Sequence, residues 1–431
     1  MVEPTVIPRA EHTLSRKQID PDALRVLYRL RQHSFIAYLV GGSVRDLLLD
    51  RRPKDFDIGT SAHPYQVKRL FRNCWIVGRR FRLAHVKFGT KTIEVATFRR
   101  PTQPGGEETE APPDEVRIEP PVVDAAGEAH NGPLHRDNTF GTPEEDAFRR
   151  DFTINALFYD IATFAVIDYV GGLQDLRDGL VRCIGDPDQR FEEDPVRMLR
   201  ALALAARLDF RIDPPILDAI GRQRRLIALS AAPRLIEEFY KILRAGSSER
   251  ALRDLAEVGL LEPVSRELQR GAGGPLWESL ARLDAYRRRF DDIPDTLTNP
   301  ILLGSLLVPL GFSPHTGRLA GASPNTPGPL TLGVLPLARR DVERLTQILS
   351  LQPRLKDPGG SPRAHRTVLH RSAFRDALVW LDIHGGAPDA LAFWHGLLEG
   401  ARAEGAPEEA EQPRRRRRRR RRRRPSTEPH S

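Results

Sequence analysis

The chain has 431 residues, enough for two to four domains with a sizeable core, and no apolar run approaches the roughly 18–20 residues that cross a bilayer, so a soluble protein is expected. Its two cysteines, Cys74 and Cys183, exclude a disulfide framework and a paired-cysteine zinc site, and they favour a reducing, cytoplasmic compartment. The formal net charge of +9 comes from the 11 consecutive arginines at 414–424, which leaves −2 (9 minus 11) for the rest of the chain.

The first part of the chain has the pattern of a small mixed α/β domain. Residues 1–20 lack periodicity and are expected to form an N-terminal arm, and apolar residues at helical spacing follow from Asp22. A strand at 35–40, the turn Gly41-Gly42 and a helix at 43–49 come next, with Ser43 expected to cap the helix. A helix is expected at 64–71, and further strands are expected at 56–59, 75–78, 84–88, 93–98 and 164–169.

The pattern changes twice along the rest of the chain. Residues 101–138 are crowded with Pro, Gly, Glu and Asp, which predicts a long loop inserted in the first domain. The capping box that starts at Thr142 predicts a helix over 142–159. From about residue 180 the pattern is largely helical, with helices expected at 196–208, 215–227, 233–245, 249–261, 274–290, 340–351 and 372–381.

These patterns predict an α+β protein in which a sheet-containing head is followed by helices. The expected boundaries are an arm at 1–20, a head at 21–180, a helical neck at 181–260, a helical body at 261–404, and a disordered arginine-rich tail at 405–431.

Two acids and a glycine turn form the first candidate site. Asp55 and Asp57 are two positions apart on a segment expected to be extended, so both carboxylates point to one side, with Cα atoms about 6.6 Å apart. Paired carboxylates suit Mg²⁺ bound together with substrate phosphates. At Gly41-Gly42, backbone N–H groups can face a triphosphate, and Arg45 adds a cation. The sequence contains no GxxxxGK[ST] motif, so a P-loop ATPase is disfavoured.

Two further polar clusters follow in the chain. Asp151 and Asn155 are at helical spacing beside Arg150, and Asp194 lies three residues before Arg197. A carboxylate that accepts from an exocyclic amine, next to an arginine that donates to the adjacent ring nitrogen, selects adenine and cytosine over guanine and uracil. For each cluster taken alone, an ordinary ion-paired helix surface is the alternative.

In this order, four stretches resemble the class II tRNA nucleotidyltransferase and bacterial poly(A) polymerase family, over roughly residues 35–260. They are LVGGSVRDLLLDRRPKDFDIGT (39–60), RRDFTINAL (149–157), YVGGLQDLRDG (169–179) and EDPVRMLRALALAARL (193–208). Residues 77–86 and 134–147 resemble the poly(A) polymerase branch rather than the CCA-adding branch. The resemblance implies a head with the polymerase-β-like nucleotidyltransferase fold.

The resemblance also implies roles for individual residues. Asp55 and Asp57 would hold the metal ions, with Asp151 as the third catalytic acid. Glu94, on the predicted strand 93–98, is an alternative third acid that the spacing does not exclude. The residues expected at the nucleotide are Gly41, Gly42 and Arg45 at its triphosphate, Arg150 and Asn155 in contact with it, and Asp194 and Arg197 at its base.

The activity that the resemblance implies is template-independent addition of AMP from ATP to RNA 3′ ends, with pyrophosphate released by two-metal Mg²⁺ catalysis. The alternative is a CCA-adding enzyme that uses CTP and ATP on tRNA 3′ ends, and a third hypothesis is a non-catalytic RNA-binding protein. RNA and ATP are the expected partners, neither DNA nor a membrane is expected, and protein partners are not indicated. The arginine run is either an RNA contact that affects affinity or a solvated tail.

Overall fold

A computed structural model of the chain describes residues 3–78, 82–100, 140–319 and 330–404, the last four of them (401–404) for the backbone alone. The predicted insertion at 101–138 and the predicted tail at 405–431 lie outside the described residues. The chain divides into two compact units, Met1–Ser350 and Leu351–Ser431.

An eight-stranded mixed sheet forms the centre of the head. Its strands are β1 (Thr5–Ile7), β2 (Ala37–Val40), β3 (Asp57–Thr60), β4 (Cys74–Val77), β5 (Leu83–Phe88), β6 (Lys91–Thr97), β7 (Leu157–Asp160) and β8 (Ala165–Asp168). Across the sheet they lie in the order β1-β8-β7-β2-β3-β6-β5-β4, with β3 and β6 parallel and the other neighbours antiparallel. The expected N-terminal arm therefore contributes an edge strand, in which Val6 pairs with Ile167.

One row of residues crosses the sheet at the ends of its central strands. The parallel pairing of β3 with β6 places Asp57 level with Glu94. Glu94 pairs with His85 on β5, and His85 pairs with Trp75 on β4. Because paired residues on neighbouring strands point to the same face of a sheet, these four side chains share one face.

Helices cover the sheet unequally. The helices of the head are α1 (Pro21–Gln32), α2 (Gly42–Leu48), α3 (Pro64–Leu70), α4 (Pro143–Phe148) and α5 (Gly172–Asp178). Helix α1 packs on β2 and β3, and α3 packs on β4, β5 and β6. Ala84 and Val95, which face α3, are buried, and on the other face a cluster that includes Val40, Phe98 and Phe158 covers the half of the sheet beside β2 and β7.

Helices dominate the chain after the head. They are α6 (Pro187–Glu193), α7 (Val196–Leu208), α8 (Pro214–Gln223), α9 (Ala232–Arg244), α10 (Ser248–Glu257), α11 (Leu261–Val264), α12 (Arg266–Arg270), α13 (Gly274–Arg287), α14 (Asn299–Leu307) and α15 (Arg339–Lys356). Two small ladders join β9 (Leu180–Val181) to β10 (Arg211–Ile212) and β11 (Thr331–Leu332) to β12 (Leu335–Pro336). Helix α14 was not predicted, because it is buried on every side from Pro300 to Leu307 and has no amphipathic pattern.

Two local predictions in the head are wrong. The helix expected over 142–159 ends at Phe148, and after a 3₁₀ turn at Thr153–Asn155 the chain enters β7. All four residues of β7 are buried between β2 and β8, so the alternation that marks a half-buried strand is absent. Helix α2 begins at Gly42 with Gly41 as its N-cap, whereas the hydroxyl of Ser43 donates to the carbonyl of Val40.

The second unit contains α16 (Pro362–Leu369), α17 (Phe374–Trp380), a π-helical turn at Leu381–Gly385 and α18 (Pro388–Glu404). The buried Trp394 packs edge-on against His365 and Phe374, and its Nε1 donates to the carbonyl oxygen of Leu355 at 3.0 Å. Among the described helices of the whole chain, none is both long and apolar enough to cross a membrane.

Candidate active site

Ten of the predicted site residues line one cleft in the first unit, with a volume of about 1140 Å³, whereas Glu94, the alternative third acid, is not part of the lining. The head contributes the glycine bend and the start of β3, and the helices contribute residues of α7 and α9. The predicted residues in the lining are Gly41, Gly42, Arg45, Asp55, Asp57, Arg150, Asp151, Asn155, Asp194 and Arg197. Four separate segments of sequence therefore meet around one space.

The carboxylates of Glu94 and Asp55 both influence Asp57 at the sheet end of the site. Desolvation in the cleft and the neighbouring carboxylates of Glu94 and Asp55 raise the pKa of Asp57 to about 6, and Arg150 acts in the opposite direction. Oδ2 of the exposed Asp55 lies 3.4 Å from Nζ of Lys54, and Oε1 of Glu94 lies 3.5 Å from Nε2 of His85. Asp57 forms no ion pair with any residue that the structure describes. The carboxylates are thus short of neutralising cations.

This donor set fits a divalent cation that arrives with a nucleotide. Among the described residues, no group of three or more His, Cys, Asp or Glu side chains is placed so that it could hold a metal ion by itself. Mg²⁺ usually takes only one or two protein carboxylates and completes its shell with substrate phosphates and water. Burial, followed by repulsion from Glu94 and Asp55, raises the pKa of Asp57, and a bound cation would offset both effects.

Asp151 has a different environment from these three acids. Its Oδ1 accepts from the backbone N–H of Phe152 at 2.8 Å and from Nδ2 of Asn155 at 3.1 Å, and its Oδ2 lies 2.6 Å from Nη2 of Arg200. Burial alone raises the pKa of Asp151, but the charge of Arg200 and these hydrogen bonds outweigh burial and lower it. Oδ1 of Asp151 is therefore hydrogen-bonded within the protein, whereas the buried Oδ2 has the ion pair with Arg200 and no hydrogen bond among the described residues.

Asn155 joins Asp151 to the arginines of the cleft. Its Oδ1 accepts from Nη1 of Arg45, and its backbone carbonyl accepts from Nη1 of Arg150 at 3.2 Å. The buried Arg45 also donates from Nε and Nη2 to Oδ1 of Asp46, at 2.8 and 2.7 Å. One hydrogen-bonded network therefore fixes both guanidinium groups beside the glycine bend.

The bend itself leaves no room for a side chain at its first position. Gly41 has φ +73°, in the left-handed region, and a Cβ atom there would lie 2.9 Å from Nη1 of Arg150. Its N–H donates to the carbonyl of Leu157 on β7 at 3.0 Å. The close approach of backbone and guanidinium depends on glycine at this position.

The two residues predicted to recognise the base have separate partners within the protein. Asp194 accepts two hydrogen bonds from Arg234 on α9, at 2.9 and 2.6 Å, and does not pair with Arg197. Arg197 donates from Nη1 to Oε2 of Glu193 at 2.8 Å and to the carbonyl of Arg190 at 2.9 Å. The sequence spacing brought Asp194 and Arg197 to one cleft but did not reveal their partners.

Other residues that hold the site were also missed. The buried Asp146 pairs with Arg149 and Arg150, and although burial raises its pKa, these two charges outweigh burial and lower it. Arg207 on α7 reaches Asp46 at 3.3 Å. The i, i+3 and i, i+4 spacing of Asp146 to the two arginines was a usable signal, whereas Arg207 and Asp46 are 161 positions apart and have none.

Family comparisons agree with this geometry. The sequence matches the Poly A polymerase head domain at residues 37–182, the probable RNA and SrmB-binding site of polymerase A at 209–271, and the arginine-rich C-terminus of polymerase A at 333–426. All three models describe parts of poly(A) polymerases, and each matches a separate segment of this chain. The head has the α+β fold expected from the sequence.

Individual curated relatives match only part of this chain, and this chain matches only part of each relative. Poly(A) polymerase I of Salmonella typhi is 51% identical over 260 residues, which are 60% of this chain and 53% of that protein. The CCA-adding enzyme of Lactobacillus helveticus is 35% identical over 242 residues, 56% of this chain and 54% of that enzyme. The chain thus spans about half the length of the curated relatives it matches.

Solved structures extend the likeness to the helical part. The crystal structure of the Bacillus stearothermophilus CCA-adding enzyme in complex with CTP covers 90% of this chain and 83% of that chain, with a TM-score of 0.53 and 26% identity. This share of the chain exceeds the 60% that is matched in sequence by the Salmonella typhi protein.

Proposed function

We propose that this protein adds AMP from ATP to RNA 3′ ends without a template and releases pyrophosphate. The observation that carries the proposal is the cleft in which Asp55 and Asp57, the glycine bend and the arginines of α7 meet. Identity of 51% to a poly(A) polymerase I, against 35% to a CCA-adding enzyme, favours adenylate addition over CCA addition.

In this proposal Asp55 and Asp57 hold two Mg²⁺ ions, and Glu94 is the third acid beside them. When bound, the ions lower the pKa of the primer 3′-hydroxyl and stabilise the charge on the departing pyrophosphate. Asp151, whose oxygens are engaged by Asn155 and Arg200, acts as a positioning residue for the network around the nucleotide. Glu94 is favoured over Asp151 because it lies level with Asp57 on the neighbouring strand.

The positive charge of the cleft supports binding of a triphosphate. Its lining contains twelve arginines and lysines against nine aspartates and glutamates, so the net field attracts ATP and RNA. Arg45 and Arg150 are already fixed by Asn155, Asp46 and Asp146 before substrate binds. Preorganised guanidinium groups gain electrostatic stabilisation without reorganisation during the reaction.

For base choice, we propose that Arg234 positions Asp194 and that Arg197 supplies the donor. The hydrogen bonds of Arg197 to other described residues use Nη1 alone, so Nη2 and Nε remain available to a ring nitrogen. Oδ1 of Asp194 accepts from Arg234 and from the backbone N–H of Val196, whereas Oδ2 accepts from Arg234 alone and keeps a lone pair for an exocyclic amine. This arrangement selects adenine and cytosine over guanine and uracil.

The test is incorporation of each of the four nucleotides onto an unstructured RNA primer. Long tracts made from ATP alone support the proposal. Additions that stop after three nucleotides, on tRNA lacking its terminus and with CTP and ATP present, support the CCA-adding alternative. RNA binding without release of pyrophosphate supports a non-catalytic role.

A further inference from the structure

The face of the sheet that carries Asp57 continues to the edge strand β4, and no described helix packs on it there. From Asp57 the row runs through Glu94 and His85 to Trp75. Three strand spacings of about 4.8 Å place the backbone of Trp75 roughly 14 Å from that of Asp57. Trp75 is 52% exposed, whereas Trp380 is 6% and Trp394 1% exposed. A large exposed aromatic side chain therefore lies in the same row across the sheet as Asp57 of the candidate metal site.

The neighbours of Trp75 on this face add a cation and an exposed apolar side chain to the aromatic ring. Lys87 lies two residues beyond His85 on β5, and its Nζ is 5.3 Å from the centre of the Trp75 ring. Val77, two residues along β4 from Trp75, is 46% exposed. The core does not require these exposed side chains, since the alternate residues of β4 and β5 pack against α3 instead.

We propose that Trp75 and Lys87 form a stacking platform for the single-stranded RNA just upstream of the primer 3′ end. The inference rests on the proposed function, because it takes RNA as the substrate whose 3′ end reaches Asp57. An exposed aromatic ring beside a cation is the combination with which proteins bind single strands: the ring stacks on a base and the cation meets the backbone phosphate.

The surroundings of Asp57 determine the direction of the RNA across the sheet. On one side of Asp57 the row enters the apolar cluster that contains Val40 and Phe158, where both residues are buried. On the other side the row passes through the exposed Glu94 and the half-buried His85 to the exposed Trp75. Along this face, a strand leaving Asp57 therefore runs over Glu94 and His85 toward β4.

The platform is distinct from the expected base site of ATP. Asp194 and Arg197, which are proposed to hold that base, come from the helical wall of the cleft. Trp75 and Lys87 lie outside the lining of the cleft. A role in primer binding therefore predicts a change in the KM for RNA and none in the KM for ATP.

The experiment compares Trp75→Ala, Trp75→Phe and Lys87→Ala with Tyr28→Ala as a matched control. Tyr28 is 39% exposed but lies on α1, which packs on β2 and β3 away from β4. Intrinsic tryptophan fluorescence is titrated with an RNA of about fifteen nucleotides in the absence of ATP, and the difference between wild type and Trp75→Phe isolates the Trp75 signal. The KM values for RNA and ATP are then measured for each variant.

RNA is expected to quench Trp75, and Trp75→Ala is expected to raise the KM for RNA about tenfold with the KM for ATP and kcat unchanged. Trp75→Phe restores most of the loss, Lys87→Ala raises the KM for RNA less and reduces its salt dependence, and Tyr28→Ala changes nothing. With a dinucleotide primer, which is too short to reach β4, wild type and Trp75→Ala become alike.

An unchanged KM for RNA in Trp75→Ala overturns the platform, and so does a Trp75 signal that RNA does not alter. Poor quenching of Trp75 by acrylamide in the free protein also overturns it, since another part of the chain or a protein partner would then cover the ring. Because binding is measured without ATP, quenching by RNA with no AMP incorporation supports the platform while refuting the proposed activity. AMP incorporation that is independent of Trp75 refutes the platform alone.

Discussion

Glu94 on β6 lies level with Asp57 on the parallel strand β3, and its carboxylate helps to raise the pKa of Asp57 to about 6. The same crowding that suits the acids to hold cations makes the unliganded protein less stable at neutral pH. The instability of the empty site and its proposed chemistry therefore have one physical origin.

Asp57 is expected to make the stability of the protein depend on pH. Its folded pKa is above its unfolded value of about 3.9, so its favourable contribution is complete below pH 4 and is lost as the pH rises through 6. Asp57→Asn removes this dependence and is expected to stabilise the metal-free protein at pH 8 by up to about 1 kcal/mol, discounted for the exposure of the side chain. Urea unfolding in EDTA at pH 5 and pH 8 measures the effect. A wild type that gains stability relative to Asp57→Asn as the pH rises contradicts it.

Glu94 and Asp151 are expected to respond differently to substitution. Glu94→Gln is expected to lower AMP incorporation at least 100-fold and to shift the Mg²⁺ dependence, with little loss of stability, because its side chain is half exposed. Asp151→Asn is expected to destabilise the fold by about 1–3 kcal/mol, because Arg200 loses its buried partner. Rates of AMP incorporation over a Mg²⁺ titration, together with unfolding curves, distinguish the roles of Glu94 and Asp151. Normal Mg²⁺ dependence in Glu94→Gln and a shifted one in Asp151→Asn would reverse the assignment.

The glycine bend is expected to tolerate no side chain at its first position. Gly41→Ala places a Cβ atom against Arg150 at a left-handed φ, and it is expected to raise the KM for ATP as well as to cost about 1–2 kcal/mol of stability. Gly171→Ala is the matched control, because Gly171 has φ +82° with nothing within 4 Å of the added Cβ. The midpoint of thermal unfolding should fall in both variants. The KM for ATP should rise only in Gly41→Ala. Equal KM values in the two variants would refute a specific role of the bend.

The local sequence pattern was sufficient to predict some helices and strands but not others. Helix α7 occupies 196–208 as predicted, since one of its faces is apolar and Pro195 marks its start. Strand β7 was mistaken for a helix because both its faces are buried. The site segments could be found from their motifs, but Arg234 lies 40 positions from Asp194, so only the packing of α9 reveals their pairing.

The pairing of Arg234 with Asp194 is expected to influence base choice. Arg234→Ala frees the carboxylate of Asp194 from its bidentate partner and is expected to reduce the preference for ATP about tenfold, through both a higher KM for ATP and increased misincorporation. Arg222→Ala is the control, because Arg222 forms a bidentate pair with Asp188 outside the cleft. Single-nucleotide kinetics with each NTP provide the readout. The same loss in both variants would indicate a general effect on stability rather than on base choice.

The proposed activity depends above all on Asp55 and Asp57, which are expected to hold the cations for nucleotidyl transfer in the cleft. The most direct measurement of this role is Mg²⁺-dependent AMP incorporation on an unstructured RNA primer by wild type, Asp55→Ala and Asp57→Ala, with folding checked by circular dichroism. We predict homopolymeric adenylate tracts from wild type and no incorporation by either folded variant. Near-normal incorporation by either variant would contradict the proposed role.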